Sequence, residues 1–422
     1  MSADDTTIAI LHQTLIDQLI QSQNLTSPRI EAAFRAIPRH IFLPNIPLET
    51  AYSDQAIPTK YENGRAISSS TQPSMMAIML EQLDLQEGHR VLEIGAGTGY
   101  NAAIMAWLVG SSGQVTTVDL DADTAETART NLTNAGFPQV KVVQADGMLG
   151  YAPNAPYDRI ILTVGGWDIP ECWLEQLAPN GRIVLPLSFN GPQLSIAFDK
   201  HPTHLESVSV RPCGFMRIRG PMAEPSRQWA LGPTPGLTLD FTSGPDTPAN
   251  ISAETIYQWL TGPTRQHSTD IRATPSQIWR NLILWLALHE PAFCYLSAAG
   301  EMFDSNLVPL LLHYESREQR WKMTVGLLGE DGLAVLGRTL PSRKRQSKKE
   351  TPFLLAVHSF GPNTELAQRL TNHVRAWHLS GRPDARALRV LAYPATATIY
   401  TMPGQWVLRK KWQQFVIEWV NG

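Results

Sequence analysis

The sequence predicts a doubly wound, Rossmann-like α/β domain followed by a smaller α+β domain, and three observations carry that reading. Between Arg90 and Leu187, short apolar strands alternate with helices of about 10 to 14 residues. A turn with three glycines, Gly95, Gly97 and Gly99, sits where the first of those strands hands over to a helix. After Pro221 the alternation stops, and the composition turns to Pro, Gly, Ser and Thr.

The opening segment, MSADDTTIAILHQTLIDQLIQSQNL, reads as an amphipathic helix with acids where a secretory signal carries Lys or Arg, so a cytoplasmic chain is expected. Ser27-Pro28 starts a second helix, with Ile30, Ala33, Phe34 and Ile37 at helical spacing, and Pro38 ends it. The four hydroxyl residues Ser68 to Thr71 before Gln72-Pro73 read as a loop, and Pro73 opens the helix that runs to Leu83. Strands then follow at Arg90 to Ile94, Gln114 to Val118, Val140 to Val143, Arg159 to Val164 and Arg182 to Leu187. Helices separate them at Tyr100 to Val109, Ala122 to Ala135 and Pro170 to Leu177. This alternation makes βαβ units and a parallel sheet covered on both faces. Residues 1–223 form the first domain, and 224–250 read as a linker. Residues 251–422 read as the α+β domain, with strands near Phe293, Lys322, Leu333, Phe353, Leu388 and Trp406 and helices at Ser276 to His289 and Thr364 to Ser380.

Composition excludes several classes. The 422 residues are 43% hydrophobic and 17% charged, which describes a folded chain of two or three domains. The 35 Lys and Arg against 38 Asp and Glu leave a net charge of −3, so no global field draws nucleic acid or an anionic membrane. No apolar run is long enough to span a bilayer, since Leu282 to Leu288 stops at His289-Glu290-Pro291. Cys172, Cys213 and Cys294 are far apart and read as buried, reduced thiols. His373 and His378 are five apart on one helix, away from metal-pair spacing, and no metal is expected. The basic run Ser342 to Lys349 reads as a solvated hairpin loop, and Trp279, Trp285, Trp377, Trp406, Trp412 and Trp419 as core.

The chemistry lies in the run Val91-Leu92-Glu93-Ile94-Gly95-Ala96-Gly97-Thr98-Gly99-Tyr100. Its GxGxG spacing differs from the dinucleotide fingerprint and from the P-loop, which argues against a pyrophosphate or triphosphate. Glu93 would repel a phosphate but suits the ammonium of an amino-acid moiety. Asp119 ends the next strand, where a carboxylate takes both ribose hydroxyls or caps the following helix. Asp146 and Gly147 close the third strand, where an adenine amine would lie. The three strand ends together form an S-adenosylmethionine site.

From there the chain resembles the protein-L-isoaspartate (D-aspartate) O-methyltransferases over roughly residues 25 to 220. The resemblance rests on Ala36-Ile37-Pro38-Arg39-His40-Ile41-Phe42, Ala51-Tyr52-Ser53-Asp54, Ile67-Ser68 through Gln72-Pro73, the glycine turn, Asp146-Gly147, Tyr157-Asp158, Ile169-Pro170 and Gly181 to Pro186. It implies methyl transfer from S-adenosylmethionine to the α-carboxylate of an isoaspartyl residue in a protein or peptide, and collapse of the ester to a succinimide. It also implies that Thr71, with Ser70 and the preceding serines as neighbours, hydrogen-bonds the acceptor carboxylate. A hydroxyl of that run could instead cap the Pro73 helix. The run Thr163-Val164-Gly165-Gly166-Trp167-Asp168 departs from the family pattern by placing an indole beside the expected acceptor pocket. Arg211 to Gly220, Trp377 to Pro383 and Ala392-Tyr393-Pro394 resemble a subgroup with a C-terminal extension, some of whose members act on an ordinary Asp of a ribosomally made peptide. A small-molecule methyltransferase and a cofactor-binding module without turnover remain the alternatives.

Overall fold

The computed structural model describes residues 3–62, 64–221, 223, 228–241, 251–315, 320–339 and 351–420. The chain divides into two compact units. The first takes Met1–Ser188, Gln193–Glu224 and Leu388–Val420; the second takes Phe189–Pro192, Pro225–Ala387 and the last two residues.

The first unit opens with helices Ala3–Gln21 and Pro28–Ala36, the second capped by the Ser27 hydroxyl with Pro28 in its first turn. An antiparallel hairpin follows, β1 (Ile57–Glu62) and β2 (Arg65–Ser70). Ser68 to Ser70 are therefore strand residues, not the loop that their hydroxyls alone imply. Pairing Ser69 with Pro58 and Ser70 with Ile57 outweighs their weak strand propensity. The central sheet begins with β3 (Arg90–Ile94), β4 (Gln114–Asp119), β5 (Lys141–Gln144), β6 (Tyr157–Leu162) and β7 (Leu177–Ser188). These five run parallel, in the order β7-β6-β3-β4-β5. The order reverses at β3, and the crevice at the C-terminal ends of β3 and β6 is where an open α/β sheet takes its ligand. Helix Tyr100–Val109 is buried on nearly every side, packing Ala102, Ala103, Ile104 and Met105 into the main core with Phe34, Leu80 and Leu132. Each large apolar side chain buried there contributes about 1.5–3 kcal/mol.

Beyond β7 the sheet turns antiparallel through β8 (Gln193–Lys200) and β9 (Leu205–Cys213). The second unit then supplies β10 (Gln228–Ala230), β11 (Leu237–Phe241), β12 (Arg265–Ala273), β13 (Phe293–Ala299), β14 (Leu312–Glu315), β15 (Arg320–Gly329), β16 (Gly332–Arg338) and β17 (Phe353–Phe360). They form one antiparallel sheet, ordered β10-β11-β13-β15-β16-β17-β12 with β14 on β15, and helices Ala253–Thr261 and Glu365–Leu379 accompany it. The α+β expectation holds for this unit, but its boundaries differ from the sequence reading. The supposed linker contributes β10 and β11, because the alternating Leu237-Thr238-Leu239-Asp240-Phe241 pairs with β13; residues 242–250 lie outside the described residues. At the other end, β18 (Leu388–Pro394), β19 (Gln405–Arg409) and β20 (Gln413–Trp419) rejoin the first unit, where β18 pairs with β9 at Leu391↔Glu206 and Ala392↔Leu205. An antiparallel strand finds its partner by edge hydrogen bonds, with no regard to distance along the chain. The C-terminal domain is thus not one continuous segment.

Among the described residues no helix is long and apolar enough to cross a membrane. The three cysteines are free, and burial pushes the Cys294 thiol up. Trp285 and Trp377 are buried as expected, whereas Trp279 is 51% exposed. His373 meets the Glu290 carboxylate, which also pairs with Arg369. The basic run 342–349 lies outside the described residues.

Candidate active site

The glycine turn is built as its residue types require. Gly95 has φ +105°, a conformation that costs other residues dearly, and a Cβ there would lie 2.6 Å from Thr163 Oγ1. The Gly95 and Ala96 amides both donate to Val118 O, at 2.8 and 3.1 Å, which ties the turn to the end of β4. Gly99, at φ +86°, stands at the N-terminus of helix Tyr100–Val109. Gly97 faces open space: a Cβ there would meet only Ser69 O, at 3.6 Å. The turn thus offers backbone without side chains on the crevice, and it touches both the end of β2 and the residues after β6.

Glu93 lies elsewhere than the sequence reading places it. It is fully buried, with Oε1 accepting from Asn101 Nδ2 at 2.8 Å and Oε2 from Thr117 Oγ1 at 2.7 Å. Both oxygens are used beneath the turn, so Glu93 fastens β3 to β4 and to the following helix. Burial raises its pKa from 4.5 to about 7, against the two hydrogen bonds. A raised acid favours folding while protonated, so this contribution is complete below about pH 4.5 and is lost as pH rises through about 7. At about 1.4 kcal/mol per pKa unit it amounts to roughly 3 kcal/mol. Glu93→Gln should flatten the melting-temperature profile across that window; a variant that keeps the wild-type slope would show that Glu93 does not set it.

Asp119 is the last residue of β4, and Asp146 follows the end of β5 by two residues. Asp119 Oδ2 accepts from Gly97 N at 3.1 Å and Oδ1 from Asp121 N at 3.2 Å; burial pushes its pKa up and these amides oppose the shift. Asp146 caps the short turn Gly147–Leu149 through Met148 N, at 2.9 Å. Gly147 serves packing, since a Cβ would lie 2.4 Å from Ile94 Cγ2. Two cations absent from the sequence reading close over this end. Asp121 accepts from Lys60 Nζ of the hairpin at 3.0 Å and from Arg219 Nη2 at 2.6 Å. Gly220 follows Arg219, and a Cβ on it would lie 3.5 Å from Asp146 Oδ1. No local pattern marks Lys60 or Arg219, because their partner lies 61 and 98 residues away.

Around the hydroxyl run the deciding residues are Arg39 and Asp54. The Arg39 guanidinium is fully buried and donates to Ala51 O, Ser53 O and Thr71 O at 3.0 Å, and to Gln55 O and Ser70 Oγ at 3.3 Å. Burial lowers its pKa to about 10. The Ser70 hydroxyl oxygen thus accepts from Arg39 and is buried, while its own hydrogen is not used in that bond. The Asp54 carboxylate accepts from Ser74 N at 2.9 Å and from Gln72 Nε2 at 3.2 Å, so it caps helix Pro73–Leu83 in place of any hydroxyl of the run. Thr71 is half-buried, and its hydroxyl makes no hydrogen bond among the described residues.

The segment after β6 is held from several sides. Gly165 N donates to Met216 O at 2.7 Å, Ile218 N to Gly165 O at 2.9 Å, and Gly166 N to Pro186 O at 2.8 Å. Trp167 packs on Trp412 with ring centroids 5.1 Å apart, Lys410 donates to Trp167 O, and Asp168 accepts from Trp412 N at 2.7 Å. A small cleft here is lined by Gly165, Gly166, Trp167, Gln193 and Arg217. The turn between β19 and β20 thus braces the indole that the sequence places beside the acceptor.

An open α/β sheet with a side-chain-free glycine turn at its switch point, and carboxylates closing the next two strands, defines an S-adenosylmethionine-dependent methyltransferase. The model of the protein-L-isoaspartate(D-aspartate) O-methyltransferase family matches residues 10–220. The chain belongs to that family. It is 43% identical over 220 residues to a protein-L-isoaspartate O-methyltransferase of Methanopyrus kandleri, covering 52% of this chain and 91% of the relative. A second such relative, from Archaeoglobus fulgidus, is 43% identical over 208 residues, covering 49% and 92%. A solved structure of a protein-L-isoaspartate O-methyltransferase is 24% identical and aligns over 90% of this chain and 96% of its own length, with a TM-score of 0.48.

Proposed function

We propose that this enzyme esterifies the α-carboxylate of isoaspartyl residues in a protein or peptide, with Thr71 as the hydroxyl that holds the acceptor. When bound, the cofactor would supply an electrophilic methyl group on a positively charged sulfur; its transfer to a carboxylate oxygen would form the O–C bond as the C–S bond breaks, leaving a neutral thioether and moving no proton. The chain therefore has no need of a general base; its task is alignment and exclusion of water. Asp119 is the partner for the ribose hydroxyls, and Gly95, Gly97 and Gly99 let backbone approach the ligand. Asp146 serves the adenine end under Gly220, while Glu93 and Gly147 support the strand ends from behind. The observation that carries the acceptor assignment is the division of labour in the hydroxyl run. Arg39 takes Ser70 and Asp54 takes the helix cap, which leaves Ser69 and Thr71 each with a half-buried hydroxyl that makes no hydrogen bond among the described residues; Thr71 is the one directly before Gln72-Pro73.

The test uses labelled S-adenosylmethionine with two peptides of one sequence, one isoaspartyl and one aspartyl. Base-labile label is expected on the isoaspartyl peptide. Label only on the aspartyl peptide would move the acceptor to an ordinary side chain, as in the peptide-modifying subgroup. Thr71→Ala is expected to lower turnover by about 10- to 100-fold with cofactor affinity unchanged, the cost of losing one orienting contact. Asp119→Ala is expected to do the reverse, weakening cofactor binding in calorimetry. Unchanged turnover in the first variant or unchanged affinity in the second removes the respective role.

A further inference from the structure

A second group of ligating side chains lies at the turn between β8 and β9, on a segment with no role in the site above. We propose that His201, His204 and Glu206 form a binding site for a divalent transition metal of the zinc class. The turn is closed by His201 N donating to His204 O at 2.9 Å, which brings the two imidazoles to the same side. Glu206 Oε2 lies 3.8 Å from His201 Nε2 and 3.9 Å from His204 Nε2. The three ligand atoms all lie within 4.8 Å of one another. Tetrahedral ligands at zinc distances stand about 3.3 Å apart, so small side-chain rotations would close the site. Two nitrogens and one carboxylate oxygen are the donor set of such a metal, and they leave a fourth position for water.

The surroundings orient these groups as second-layer partners do at metal centres. Thr203 Oγ1 lies 3.2 Å from His204 Nδ1, so a hydrogen bond donated by Nδ1 leaves Nε2 with its lone pair toward Glu206. Arg389 Nε donates to Glu206 Oε1 at 2.9 Å and so holds the carboxylate with Oε2 toward the imidazoles. His204 is stacked between His201, at 5.0 Å, and Tyr393, at 5.2 Å, which fixes its ring plane. Arg389 and Tyr393 belong to β18, whose pairing with β9 includes only Leu391↔Glu206 and Ala392↔Leu205. A metal here would bind through the hairpin and lock, through these two side chains, the point where the C-terminal strands return to the sheet.

The full-length protein, freed of metal by a chelator, is titrated with Co²⁺ and followed by visible absorption, with Zn²⁺ as competitor. One equivalent with d–d bands is expected, displaced by Zn²⁺, together with a higher melting temperature in Zn²⁺. His201→Ala and His204→Ala should each abolish the bands, and Arg389→Met should weaken Co²⁺ binding about tenfold. Melting of each variant in chelator reports whether it folds; should one alanine variant not fold, Glu206→Gln replaces it. Absence of bands in the wild type, or bands that survive in folded ligand variants, overturns the proposal.

Discussion

Gly95→Ala is expected to cost cofactor binding and much stability, whereas Gly97→Ala is expected to cost cofactor binding with a smaller loss of stability, about 1 kcal/mol. At Gly95 an alanine meets two penalties. A backbone at φ +105° strains any residue with a Cβ by about 1–3 kcal/mol, and that Cβ would stand 2.6 Å from Thr163 Oγ1. Thr163 cannot retreat freely, because the same hydroxyl donates to Gly95 O at 2.7 Å. The hydrogen bonds from the turn to Val118 O would shift with it, and with them the seat of the cofactor. At Gly97, φ is +52°, which alanine tolerates at about 1 kcal/mol, and the added methyl has room. Its effect is to occupy the crevice. Thermal melts and calorimetry with S-adenosylhomocysteine separate the two, and a Gly97→Ala protein with wild-type affinity would mean that the ligand lies away from this face of the turn.

Arg39→Met is expected to have the largest effect on the first unit. The side chain keeps its bulk but leaves Ala51 O, Ser53 O, Gln55 O and Thr71 O without their buried donor. Taking the charged donor from several buried carbonyls at once costs about 3–5 kcal/mol, which corresponds to a fall of roughly 10 °C in the melting of a unit this size. In whatever fraction stays folded, residue 71 loses its backbone anchor, and turnover should fall by about 100-fold, the cost of an ångström's misplacement. Arg39→Lys keeps a cation but presents fewer donors in a different geometry, so an intermediate loss is expected. Wild-type melting and turnover in Arg39→Met would show that segments 51–55 and 70–71 hold themselves.

How far the site is legible in the sequence follows from the range of the interactions. The glycine turn, Asp119 and Asp146 can be read because each belongs to one strand end, and a strand-to-helix turn that approaches a ligand imposes its own residue types. Glu93 carries the same local signature yet serves as a buried brace, since whether a carboxylate faces ligand or core depends on Asn101 and Thr117 coming to meet it. Arg39 stands in a stretch that marks the family, but its five acceptors come from segments 12 to 32 residues further on. Ser70 and Thr71 look equivalent as letters. Arg39 and Asp54 tell them apart, and only the fold brings those two residues to the run.

The sequence by itself determined the α/β alternation, the glycine turn and carboxylates at the strand ends, and the family, because strand, turn and helix signals are local in the chain. Tertiary structure alone decided that Ser70 is drawn into the Arg39 network, that the Glu93 carboxylate faces inward, and that residues 388–420 complete the first sheet instead of the second unit. The physical reason is common to all three. Backbone edges and buried polar groups must find partners, and those partners are set by proximity in space, which no local pattern of residues encodes.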